Sequence, residues 1–374
     1  MSHKGYHDID TTKFTFFSTD LAVEAHEHAK QQGEIPGIQE DTEEIDNIKI
    51  ERVFISTAQA GQAINKAPGN YVTIYAPGLR TKDTPLRQNV SKIFAKEFSK
   101  YIEGLPEQAS VLVVGLGNAN ATPDAIGPEV IDNLLISRHF FQVMPDKVEK
   151  GFRPISAIAP GVMGQTGIET GDIVYGVIQQ IKPDVVVVID ALASRSIERI
   201  NTTIQIADSG INPGAGVGNQ RKALSKETLG IPVIAVGVPT VVDAVTIVHD
   251  AMEYVAEYIN HNNGNITSVI SPDLMTKNMA KKQAVAVHQS DQGVNTDRQP
   301  NSQQHAIPSA YEALSEDQKK QLIFQVLKAE GHQFMVTPKE IDVYIEDMAN
   351  IIAGGLNAAL HPKISIEDAA MYTH

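Results

Sequence analysis

The chain has 374 residues, 42% hydrophobic and 20% charged, with a formal charge of −14, the makeup of a globular enzyme. That charge, with no run of Lys or Arg, argues against direct nucleic-acid binding. Cysteine is absent, which excludes disulfides, thiolate nucleophiles and Cys-ligated zinc.

No stretch reaches the roughly 18 continuous apolar residues of a membrane span. Met1 to Asp8 carries no charged-then-apolar signal pattern, so a cytoplasmic location is expected. Residues 1–20 are polar and aromatic without periodicity and read as an arm. Leu21, Ala22, Ala25 and Ala29 space out a short helix ending near Lys30. Gln31 to Asp46 is acidic and interrupted by Gly and Pro, a surface loop or sheet edge. Lys49 to Ser56 and Tyr71 to Tyr75 alternate as strands, with Gly69-Asn70 as a turn.

The core begins near Ser110. Strands at 110–115, 185–190 and 232–237 alternate with helical patterns at 123–136, 171–181 and 240–260. The last pattern carries Val241, Val245, Val248, Met252, Val255 and Ile259. Such alternation predicts an α/β fold: a mainly parallel central sheet flanked by helices, with extra N-terminal and C-terminal elements. Thr202 to Ile206 reads as one more strand. Residues 276–306 lose large apolar side chains and form a polar insertion. Thr337-Pro338-Lys339-Glu340 is the signature of a capping box, followed by Ile341, Ile345, Met348 and Ile352 on one helical face. The expected division is an arm at 1–20, an α/β catalytic domain at 21–275, a polar linker at 276–318 and a C-terminal helical segment at 319–374.

Two acids stand where an α/β sheet places its ligands, outside the carboxyl ends of strands. Val111 to Val114 leads through Gly115-Leu116-Gly117-Asn118 to Thr122-Pro123-Asp124, and Val185 to Ile189 ends at Asp190. Asp124 reads either as a complement to a helix dipole, with Thr122 as N-cap, or as a carboxylate that accepts a proton from water. Gly127 allows the backbone to approach closely there. Asp190 reads either as a cap or a partner of Arg195 or Arg199, or as the second member of a hydrolytic pair. One such acid polarises water and the other protonates the leaving amine. Close like charges would split the pair's apparent pKa values.

Other candidates read as structural. Gly210 to Gly218 lacks the Gly-Lys-Ser/Thr ending of a phosphate loop and reads as a loop lining a cleft. Gly115 and Gly117 lack the third glycine of a dinucleotide fingerprint. Asp243 follows Thr240 by three residues and reads as a capping box. His249 reads as packing or surface, Ser194 and Ser196 lack a nucleophile elbow, and no His-Glu-x-x-His motif occurs.

Five stretches carry a family resemblance. They are Val113 to Asn118, Thr122 to Ala125, Ala159-Pro160-Gly161-Val162-Met163-Gly164, Ile189 to Leu192 with Arg195 to Arg199, and Gly237 to Asp243. The chain resembles, nearly end to end, the spore germination proteases of endospore-forming bacteria. The resemblance implies an endopeptidase that starts degradation of small acid-soluble spore proteins in the spore core at germination. It also implies a homotetrameric zymogen that loses a short N-terminal segment. Family substrates are cut after the Glu of Thr-Glu-(aliphatic or aromatic)-Ala-small-Glu, and Thr19-Asp20-Leu21-Ala22-Val23-Glu24 is a near copy. Self-cleavage between Asp20 and Leu21 is therefore expected, with the arm as a pseudo-substrate.

A more distant likeness is to hydrogenase-maturation endopeptidases, of phosphorylase/hydrolase-like fold, whose Gly-Asn, acid and Gly fall at Gly117-Asn118, Asp124 and Gly127. Those relatives complete a metal site with a histidine. Here no histidine lies between His139 and His249, and two carboxylates alone make a poor transition-metal site. The expectation is thus an atypical aspartic-type mechanism on Asp124 and Asp190, with no cofactor or metal. A metal-assisted endopeptidase on the same acids and a non-catalytic spore-protein-binding scaffold are the alternatives.

Overall fold

A computed structural model describes residues 19–31, 33–81, 83–212, 222–261, 314–315, 318–319, 323 and 334–369. The expected arm up to residue 18, most of the Gly210–Gly218 loop and the polar stretch 276–306 lie outside them. The chain divides into two compact units, Met1–Asp243 with Met335–His374, and Ala244–Phe334. Among the described residues, no helix is long and apolar enough to cross a membrane.

The first unit starts with α1 (Ala22–Lys30), β1 (Ile38–Ile45), β2 (Ile48–Ile55), α2 (Ala58–Ala63), β3 (Gly69–Tyr75) and α3 (Thr84–Tyr101). Next come β4 (Val111–Gly115), a 3₁₀ turn (Thr122–Asp124), α4 (Ile126–Asp132), α5 (Arg138–Val143), β5 (Ile155–Ile158), α6 (Met163–Thr166) and α7 (Thr170–Ile181). Then follow β6 (Val185–Ser194), β7 (Thr203–Ala207), α8 (Lys226–Leu229) and β8 (Val233–Asp243). The second unit opens with α9 (Ala244–His261), in which His249 is buried. The chain returns to the first unit with β9 (Met335–Val336), α10 (Ile341–Leu360) and α11 (Ile366–Ala369).

One sheet runs in the order β1-β2-β3-β7-β8-β6-β4-β5, with β9 on β8. The α/β class stands, and the parallel character is confined to the pairs β5–β4, β4–β6 and β6–β8. Among the described residues, every other strand pair is antiparallel. The parallel part is what the apolar runs predict, because strands covered on both faces have no polar alternation. Val111, Val113, Val187 and Ile189 meet α3, α4 and α10 on one face. Leu112, Val114, Val186 and Val188 meet Val174 and Ile178 of α7 on the other. The acidic β1 is the exposed edge strand, as its Glu-rich sequence requires.

Four local expectations are corrected. Gly69-Asn70 is not a turn but the start of β3, with Asn70 bonded through its N–H and side chain to the Asp208 carboxylate, both at 2.7 Å. Thr122 does not cap an α-helix; it opens the 3₁₀ turn, and α4 begins at Ile126. Pro338 is not the first residue of α10, which starts at Ile341, because the Thr337 hydroxyl donates to Thr240 O at 2.9 Å instead of capping. Ile341, Ile345, Met348 and Ile352 nevertheless form its buried face. Thr240 and Asp243 make no capping box: β8 runs through both, paired with β6 and β9. Strand partners on both sides outweigh the local helical pattern that begins at Val241.

Candidate active site

Asp190 does not end its strand. It lies inside β6, buried, and its Oδ1 accepts the Ala191 N–H at 3.0 Å. Alternation of side chains puts it on the face of Val186, Val188 and Leu192. Across the sheet it stands opposite Gly237 of β8, where a Cβ would press to 2.3 Å from the Leu192 side chain.

Asp124 arrives from the neighbouring strand. Gly115 of β4 pairs with Ile189, and Leu116 N–H donates to Ile189 O at 2.8 Å, so the strand pairing stops one residue short of Asp190. Gly117, next in the chain, has φ +112°, and a Cβ there would stand 1.9 Å from Asp124 O and 3.2 Å from its carboxyl carbon. The Asn118 N–H is shared between Asp124 Oδ2 at 2.9 Å and Asp124 O at 3.1 Å. Asn118 Oδ1 in turn accepts from Gln165 Nε2 at 2.6 Å. The 3₁₀ turn packs on β6 and β8, and the Thr240 hydroxyl donates to Pro123 O at 2.7 Å. Gly127 is equally constrained, since its Cβ would fall 2.1 Å from Leu116 O. Glycines thus let the loop fold back over the strand end. The structure sets the turn of Asp124, beyond the end of β4, against β6, the adjacent parallel strand that holds Asp190 within it.

The Asp20–Leu21 position lies on the same strand. Asp20 N–H donates to Ala193 O and Ala193 N–H donates to Asp20 Oδ2, both at 2.8 Å. Gln205 spans the peptide: its Nε2 donates to Asp20 O at 3.2 Å and its Oε1 accepts Ala22 N–H at 2.7 Å. Lys66 Nζ donates to Thr19 O at 2.8 Å. Leu21 is fully buried with Leu192 and Val23. Burial pushes the Asp20 carboxyl up from its usual range, against the lowering pull of Lys66. Burial likewise pulls the Lys66 ammonium down, against Asp20 and Glu24. Glu24, buried, accepts the Thr19 hydroxyl and the N–H groups of Arg195 (2.7 Å) and Ser196 (2.9 Å).

Arg199 sits among Glu24, Glu27 and Glu51 at 3.7, 3.5 and 3.3 Å. Ser194 is buried and donates to Ser196 O at 2.9 Å, a structural role. Sequence reasoning passed over Lys66 and Gln205, and read Thr240 only as part of a cap. Their partners lie 47, 185 and 117 residues away along the chain, and no local motif marks such contacts. Among the described residues, no three His, Asp or Glu side chains group so as to hold a metal ion.

A family profile described as germination protease matches residues 17–373. The chain belongs to the germination protease family. Germination proteases of Bacillus cereus (strain AH187) and Bacillus anthracis (strain A0248) are each 49% identical to it, over 98% of this chain and 99% of theirs. Membership makes this chain an endopeptidase. A solved [NiFe] hydrogenase maturation protease from Thermococcus kodakarensis shares 21% identity over 38% of this chain and 80% of its own. Its TM-score of 0.25 is too low to carry an argument.

Proposed function

We propose that this endopeptidase cuts small acid-soluble spore proteins in the spore core at germination, with Asp124 and Asp190 activating the attacking water. The observation that supports the reading is the packing of the glycine-bound turn that carries Asp124 against β6, the strand in which Asp190 is buried. One carboxylate takes a proton from water as the oxygen attacks the scissile carbonyl carbon. The other delivers a proton to the amide nitrogen as the C–N bond breaks, leaving a new carboxyl and a new amine. These two roles need one carboxylate ionised and the other protonated when water attacks.

The chain is made as a zymogen of a homotetramer, and the same acids cut between Asp20 and Leu21 to release the arm. Support comes from the seating of that bond beside β6, three residues past Asp190, with Gln205 bonded on both sides of it. The expected domain division at 275 and 318 belongs to this reading too.

Asp124→Asn and Asp190→Asn test it. Each is expected to lower cleavage of a spore-protein peptide and release of the arm by roughly 10²–10⁴-fold, with circular dichroism and sedimentation unchanged. N-terminal sequencing of the wild-type product should begin at Leu21. Near wild-type cleavage by either variant would remove the acids from the mechanism. A chelator that stopped the reaction, reversed by one metal, would favour the metal-assisted alternative.

A further inference from the structure

The amide of Gln205 straddles the Asp20–Leu21 peptide. Its Nε2 donates to the Asp20 carbonyl oxygen at 3.2 Å, and its Oε1 accepts the Ala22 N–H at 2.7 Å. Only one orientation of the amide serves both partners, because the oxygen has to face the N–H and the nitrogen the carbonyl. Gln205 is buried, and so is Ala22, which anchors it from the first position of α1. The Nε2–H is thereby aimed at the carbonyl before any bond breaks.

Sheet register carries this donor to the face of Asp190. Ile204 and Ile206 pack in the core of Val187 and Ile189, so Gln205, between them in β7, points to the opposite face. Asp190, between Ile189 and Ala191 in β6, points there as well. Gln205 pairs with Gly237, and Gly237 pairs with Asp190. The three residues form one row across β7, β8 and β6, roughly 10 Å from end to end. Gly237 contributes no side chain to that row, and Leu192 occupies the place where its Cβ would stand. Leu21, the residue after the bond, packs with Leu192.

We propose that Gln205 Nε2–H is the donor that stabilises the oxyanion formed when the carbonyl of the Asp20–Leu21 bond is attacked. The proposal rests on the self-cleavage reading above. As the water oxygen bonds to the carbonyl carbon, the C=O π pair moves onto the oxygen that faces Nε2, and one acid takes the water proton. On collapse that pair re-forms the carbonyl. The C–N bonding pair leaves with the Leu21 nitrogen, which the second acid protonates. Against the neutral carbonyl the Gln205 bond is long, at 3.2 Å, whereas bonds to an oxyanion shorten to about 2.7–2.9 Å. The interaction therefore grows with the charge and favours the transition state over the ground state. A donor already held in place by Ala22 has no reorganisation to undergo at that moment.

The test follows release of the arm from the full chain as a first-order rate at pH 8, so that no separate substrate has to bind. Gln205→Met removes the donor and the anchor together. Gln205→Glu keeps an oxygen for the Ala22 N–H and, ionised, offers no donor. Each is expected to slow release by roughly 10²–10³-fold, with circular dichroism unchanged. Hydrogen exchange at the Ala22 amide, read in the full chain that also carries Asp190→Asn, should stay slow with Gln205→Glu and quicken with Gln205→Met. Release within about threefold of wild type in both variants overturns the donor. So does a Gln205→Glu variant that cleaves normally beside a slow Gln205→Met, because the side chain is then an anchor alone. N-terminal sequencing separates the two readings. A wild-type product that does not begin at Leu21 overturns self-cleavage there and the donor with it. A product that does begin at Leu21, with fast Gln205 variants, overturns the donor alone.

Discussion

Thr240 Oγ1 donates to the carbonyl of Pro123 at 2.7 Å, joining the far half of β8 to the turn that carries Asp124. The hydroxyl is fully buried, so the bond is shielded from water. Thr240→Val keeps the shape and leaves the Pro123 carbonyl without that donor, which costs about 1–2 kcal/mol. Because the turn then loses its tether, kcat for peptide cleavage should fall roughly tenfold with KM little changed, and Thr240→Ser should recover most of it. A Val variant with wild-type kcat would show that the turn is held by other contacts.

The glycine loop makes a steeper prediction. Gly127→Ala brings a methyl group to 2.1 Å from Leu116 O, and Gly117→Ala to 1.9 Å from Asp124 O at a φ of +112°. Backbone has to move in both, at a cost of roughly 3 kcal/mol. Gly117→Ala displaces Asp124 itself and should abolish cleavage even where the protein stays folded. In contrast, Gly176 in α7 has open space around its Cβ position, and Gly176→Ala should stabilise by about 0.5–1 kcal/mol. Thermal melts of the three variants check the order. Equal stability of Gly127→Ala and wild type would contradict the close packing.

His361 couples the fold to acid. It is buried, its Nδ1 accepts the Arg153 N–H at 3.2 Å, and its Nε2 lies 3.3 Å from Leu135 O. These partners suit the neutral ring protonated on Nε2. Burial lowers its pKa from 6.5 to about 4, helped by the charge of Arg153. The folded value lies below the unfolded one, so the stabilisation is complete above pH 6.5 and is lost as pH falls from 6.5 through about 4. The whole effect is on the order of 3 kcal/mol. Denaturant midpoints between pH 7 and 4 should fall more steeply for wild type than for His361→Gln. Parallel curves would count against it.

Glu24 and Glu27 share Arg199 yet should differ in weight. Glu24 is buried and also accepts two backbone N–H groups at the end of β6, whereas the Glu27 side chain is 53% exposed. Glu24→Ala leaves buried donors unpaired and should cost about 2–3 kcal/mol, while Glu27→Ala should cost under about 1 kcal/mol. Chemical denaturation of both variants measures the gap. Equal losses would mean that the Arg199 pairing, not the backbone contacts, carries the stability.

Much of the site was readable in the sequence. The runs Val111 to Val114 and Val185 to Ile189 are apolar on both faces, which only a covered parallel strand tolerates. An acid after such a run is expected at the sheet's carboxyl end; Asp124 lies in the turn beyond β4, whereas β6 continues past Asp190 to Ser194 because those residues still pair with β8. The helix from Ile341 was equally plain from its spacing, although its first turn was not. Thr240 and Asp243 misled because their spacing matches a cap, whereas β8 continues through them: Pro239 and Val241 pair with β6 on either side of Thr240, and Asp243 pairs with β9.

Residue order by itself determined which segments are buried strands and which are amphipathic helices, and that two acids follow apolar strand runs of one sheet. Side-chain period and polarity act over a few residues, so they are written locally. Tertiary structure alone decided the antiparallel half of the sheet, the seating of Asp20 on Ala193 beside Lys66, and the tether from Thr240 to Pro123. Those depend on hydrogen bonds between groups far apart in the chain, whose partners are chosen only when the whole sheet has assembled.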